Sequence, residues 1–78
     1  MKPLRLKIPL STFTSSRLAD LKEGIVANRG SSKVLLHFID GNNQETVVAL
    51  SDQYTVDPSE NFKRHIQNLF KTSLITFE

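Results

Sequence analysis

The chain has no cysteine, only three glycines and no apolar run approaching the length of a membrane span. Each shortage closes a class. Without cysteine, neither a disulfide nor a zinc–thiolate site can staple the fold, and the composition fits a cytoplasmic protein. Gly24, Gly30 and Gly41 share no motif, so there is no phosphate loop and no dinucleotide fingerprint. A spanning helix needs about 18 or more consecutive apolar residues, and none are present. The N-terminal Met1–Ile8 alternates polar and apolar residues, whereas a signal peptide needs a continuous apolar run.

Seventy-eight residues leave room for one hydrophobic core, so residues 1–78 are read as a single domain. A hydrophobic content of 38% with 8% aromatics is ordinary for a globular chain and argues against disorder. The net charge is only +2, but it is unevenly spread. Residues 1–30 carry six basic against two acidic side chains, and residues 31–78 carry four against six. The basic third is either a solvated face or a surface for phosphate or an acidic partner.

Leu4, Leu6, Ile8 and Leu10 alternate with Arg5, Lys7 and Pro9, the period of a half-buried strand. Pro9 has no N–H to give a ladder, so the strand ends there or lies at an edge. The hydroxyl-rich stretch from Ser11 to Ser16 offers several helix caps. Leu18, Leu21 and Ile25 follow at helical spacing, with Val26 on the flank. Gly24 inside that helix costs about 1 kcal/mol against Ala, and close approach of helix to sheet explains it. Asn28-Arg29-Gly30-Ser31-Ser32 stops the helix.

Val34, Leu36 and Phe38 alternate with Leu35, His37 and Ile39, and both sets are largely apolar, as in an inner strand. Asp40-Gly41-Asn42-Asn43 predicts a hairpin, since Gly and Asn tolerate positive φ. Thr46–Leu50 returns as the partner strand. Gln53–Val56 is either a short extra strand or a lead into the next helix. There Asp57 is the expected cap, Pro58 the first helical residue, and Glu60 completes a capping-box spacing. Phe62, Ile66, Leu69 and Phe70 form one stripe while Lys63, Arg64, Gln67 and Asn68 face out. Ser73–Phe77 closes the chain as a strand. The expected fold is α+β: a two-layer sandwich, β-α-β-β-(β)-α-β, in ferredoxin-like order with both helices on one face of the sheet.

No constellation of catalytic type stands out. A nucleophile–base pair would need His37 or His65 beside a hydroxyl with a third group to orient it. His37 falls mid-strand and His65 within a helix, so the domain is read as non-catalytic, without cofactor, metal or small-molecule substrate. His37, Asp40 and Glu45 flank one hairpin, a spacing around a single His that arises readily by chance. The element order also fits an RNA-recognition domain, which stacks bases on aromatics of two central strands. The corresponding strands here, Leu4–Leu10 and Glu45–Leu50, carry no aromatic or His.

The tetrad Val56-Asp57-Pro58-Ser59, preceded by Lys33–Gly41 and Thr46–Leu50, resembles the extreme C-terminal domain of the bacterial DNA polymerase III alpha subunit. That family shows a strand-turn-strand, a V-x-P-S helix start, L-x-x-L positions and a last strand. The resemblance covers roughly residues 3–77, and its motifs are structural. Where the family pattern has Gly after the helix, this chain runs Leu69-Phe70-Lys71.

The resemblance implies an excised C-terminal module of a larger, nucleotide-polymerising parent. It implies docking onto the tau subunit of the clamp loader during DNA replication, in the bacterial cytoplasm, with no membrane contact. On that reading the contact surface is the final helix and strand, with Lys63, Arg64, Lys71, Leu74 and Phe77. The sequence Ser73-Leu74-Ile75-Thr76-Phe77 also has the Leu-x-x-Phe spacing of sliding-clamp peptides, without their leading Gln. A closing strand produces the same letters. The alternative function is a single-stranded DNA or RNA binder acting through Arg5, Lys7, Arg17 and Lys22.

Overall fold

A computed structural model describes residues 3–70 and 76–77 of the chain. Alternation in the first segment becomes strand β1 (Leu4–Pro9), whose Leu4, Leu6 and Ile8 are buried while Arg5, Lys7 and Pro9 are half-exposed. The strand stops at Pro9, and one 3-10 turn (Leu10–Thr12) leads to helix α1 (Ser15–Ala27). Of the hydroxyls available, Thr14 is the cap: its Oγ1 accepts from the Arg17 N–H at 3.2 Å. The helix buries Leu21, Gly24 and Ile25 and leaves Val26 in water.

Asn28 ends α1 by donating its side-chain amide to the Gly24 carbonyl at 2.9 Å. Gly30 is no left-handed stop, because no glycine among the described residues has positive φ. It belongs to a short extended segment, β2 (Arg29–Ser32), bridged at both ends to Val56. The extra strand expected near Gln53–Val56 thus reduces to one residue pairing with β2. Strands β3 (Val34–Ile39) and β4 (Glu45–Ala49) form the hairpin. Asp40 organises its turn: Oδ1 accepts from the backbone N–H of Asn42 and Gln44, and Asn43 alone takes a positive φ of 60°.

Helix α2 runs from Glu60 to Phe70 and buries Phe62, Ile66 and Phe70. Its cap is Ser59, whose Oγ accepts from the Phe62 N–H at 3.3 Å, two residues later than Asp57. Asp57 is held back by its own backbone, which donates to the Asn28 carbonyl at 2.7 Å. With Ser59 as cap the helix begins at Glu60, so Pro58 precedes it and is not its first residue. Strand β5 is described at Thr76–Phe77, paired antiparallel with Lys7 and Leu6; the rest of the expected Ser73–Phe77 strand lies outside the described residues.

Among the described residues one sheet is ordered β4-β3-β1-β5. The fold is α+β in two layers, with Leu21 and Ile25 of α1 and Phe62 and Ile66 of α2 sharing one core with Leu6, Ile8, Val34 and Leu36. The two strands joined through α1, β1 and β3, lie side by side and parallel, with Leu6 opposite Leu36. A ferredoxin-like sheet inserts another strand between them. The chain order of elements is shared with that arrangement; the sheet order is not. The central strands are therefore β1 and β3, and not the pair Leu4–Leu10 and Glu45–Leu50.

Candidate functional site

With both helices on one face, no helix or strand among the described residues covers the other face of the sheet. Period-two alternation and the register between strands decide what stands there. Strand β1 contributes Arg5, Lys7 and Pro9, β3 contributes Leu35, His37 and Ile39, and β4 contributes Glu45, Val47 and Ala49.

At the middle of this face His37 is nearly enclosed, its side chain 10% exposed. Both ring nitrogens are engaged. The Arg5 guanidinium donates through Nη1 to His37 Nε2 at 3.2 Å, and His37 Nδ1 lies 2.8 Å from Glu45 Oε1. Arginine has no acceptor, so Nε2 must be the unprotonated nitrogen and Nδ1 the one donating to the carboxylate. The row Arg5–His37–Glu45 thus runs obliquely across β1, β3 and β4 with the cation at one end and the carboxylate at the other. Half-buried Leu35 and Ile39 and exposed Val47 flank it.

Both ring nitrogens have protein partners, so a ligand reaches either one only by displacing Arg5 or Glu45. What the row supplies is order: Arg5 is held in one direction over a sheet surface that is otherwise partly apolar. The hairpin residue Asp40 is not part of this group, since its carboxylate serves the turn.

The cations singled out from the sequence are divided between layers. Arg5 and Lys7 stand on the helix-free face. Arg17 and Lys22 belong to α1, in the opposite layer. Arg17 donates to the Thr12 carbonyl and lies 6.0 Å from the Phe70 ring centroid. Phe70 in turn stacks on Phe13, which meets Phe38 edge-on at 4.8 Å. Lys22 stands 5.1 Å from the Tyr54 ring centroid. The four cations therefore do not share one face of the fold.

On α2, Lys63 is half-buried and Arg64 exposed. Lys71 and Leu74 lie outside the described residues, and Phe77 is placed by its backbone opposite Leu6. The link between His37 and Arg5 was not readable from spacing, because it depends on a parallel register between segments about thirty residues apart. The signal that was present is the apolar character of both faces of Val34–Ile39.

Among the described residues no helix is long and apolar enough to cross a membrane. Compared with protein-family models, with curated proteins and with solved structures, the chain matches none of them.

Proposed function

We propose that this chain is a non-catalytic docking module that grips another macromolecule through the helix-free face of its sheet. The observation that carries the reading is the Arg5–His37–Glu45 row, an ordered polar line set among Leu35, Ile39 and Val47 on a face that no helix or strand among the described residues covers. A non-obligate protein interface is about as apolar as the rest of a surface, with Arg enriched, and this face is of that mixed kind. The resemblance of the Val56–Ser59 helix start and its flanking strands supports a more specific form. The chain would be the C-terminal module of a DNA polymerase III alpha subunit, and the partner the tau subunit of the clamp loader, in the bacterial cytoplasm.

The test is a calorimetric titration of the domain with tau at two salt concentrations. Binding with a negative heat-capacity change and a modest salt slope fits a packed protein interface. The charge reversals Arg5→Glu and Lys7→Glu together should weaken it about tenfold or more. If only Lys63→Glu with Arg64→Glu weakens it, the interface is on α2 instead. No binding to tau at any salt rejects the polymerase reading. A steep salt slope with single-stranded DNA, and none with tau, would mark a nucleic-acid binder.

A further inference from the structure

Strand β4 lies at one end of the sheet and is exposed along its whole length. Its backbone orientation follows from two hydrogen bonds, Asp40 N–H to the Gln44 carbonyl and Leu50 N–H to the Val34 carbonyl. In an antiparallel ladder the paired positions alternate. Gln44, Thr46, Val48 and Leu50 therefore face β3, and Glu45, Val47 and Ala49 turn their N–H and C=O groups outward. Among the described residues no strand pairs with that outer side.

Natural edges are usually blunted by lysine, proline or a bulge. Glu-Thr-Val-Val-Ala has no lysine or proline, and its ladder with β3 is continuous from Glu45 to Ala49. Its one charged side chain is tied to His37. Val47 is 52% exposed on the helix-free face, and Val48 is 42% exposed on the other. A ligand lying on either face would cover one of them. A strand added alongside gives both a cross-strand neighbour.

We propose that β4 pairs antiparallel with β4 of a second copy of this chain, joining two sheets into one. The strand is self-complementary about a two-fold axis at Val47. Val47 then meets Val47 of the second copy, Thr46 meets Val48, and Glu45 meets Ala49. In the same register Asp52 falls opposite Asn42, so no carboxylate faces another. The three outward-facing residues supply about six backbone hydrogen bonds, two per bonded pair. With so short a seam, the dimer's dissociation constant falls roughly between 10 µM and 1 mM. This pairing does not depend on who the docking partner is, and it would set two helix-free faces side by side.

The experiment is sedimentation velocity with two-dimensional amide NMR on the chain from about 10 µM to about 2 mM, a range set by that affinity. Support is a monomer–dimer equilibrium whose concentration-dependent shifts centre on residues 45–49, with the Val47 amide gaining protection from exchange. Val47→Lys sets two cations face to face and should weaken the dimer about tenfold or more. Thr46→Lys, on the other face, serves the same end if that variant folds poorly. A chain still monomeric at the highest concentration overturns the proposal. So does a dimer whose shifts lie away from β4, or one that both folded lysine variants leave intact.

Discussion

Gly24 of α1 lies directly against the imidazole of His65 on α2: a Cβ at position 24 would come within 2.6 Å of His65 Cδ2. The glycine therefore serves contact between the two helices, not the helix-to-sheet approach expected of it. The obstructing atom is on an exposed side chain able to swing away. Gly24→Ala sets about 1 kcal/mol of gained helix propensity against displacement of that ring. In the wild-type background the two should nearly cancel, giving a change within about 0.5 kcal/mol. In a His65→Ala background the gain should appear in full, at about 1 kcal/mol. Chemical denaturation of the four proteins in the cycle checks this, and equal effects in both backgrounds would refute the contact.

Gly30 is a contrasting case. A Cβ there would meet the Asp57 nitrogen at 2.5 Å and its Cα at 2.7 Å, both main-chain atoms. These belong to the segment that bridges β2 through Val56, and its own bond to the Asn28 carbonyl anchors it. It has no rotamer to change. Gly30→Ala should cost about 2 kcal/mol or more, in the range of overpacked cores, although the residue is exposed and has ordinary φ. A thermal midpoint within two degrees of wild type, where about 1 kcal/mol shifts a small domain by several degrees, would contradict it.

The start of α2 separates what the letters disclose from what only tertiary structure decides. Val-Asp-Pro-Ser announces a helix start without saying which oxygen caps it. Asp57 has the better-placed side chain by local rules, but its backbone is already committed to Asn28, a partner 29 positions upstream. The cap passes to Ser59. Ser59→Ala should therefore cost about 1 kcal/mol and Asp57→Ala less than about 0.5 kcal/mol. The opposite ranking in urea unfolding would return the cap to Asp57.

The same division runs through the rest of the molecule. Alternation in Leu4–Ile8 and Val34–Phe38, and the stripe Phe62, Ile66 and Phe70, report burial, because burial has the period of the element that carries it. Those elements were legible. Sheet order was not: whether β1 lies beside β3 or has a strand inserted between them leaves every local pattern unchanged. The candidate site inherits that blindness. Arg5 meets His37 only because β1 and β3 are neighbours in a particular parallel register, and His37 meets Glu45 only through the hairpin's.

If the Arg5–His37–Glu45 row exists to present a surface, removing its centre should alter binding more than folding. His37→Leu keeps similar volume and deletes both bonds. Arg5 and Glu45 are each partly exposed, Glu45 by 43% of its side chain, so both can return to water. Replacing a bonded polar group by an apolar one of like shape is then nearly neutral, within about 1 kcal/mol, whereas His37→Ala leaves a gap and should cost about 1–3 kcal/mol. Under the proposed docking role, His37→Leu should still lower partner affinity about fivefold or more, because a loosened Arg5 must be ordered on binding. Unfolding and titration of the same variant decide between the two uses of the row. A large stability loss with unchanged affinity would make it a structural clamp, and the docking face would then have to be sought elsewhere on the molecule.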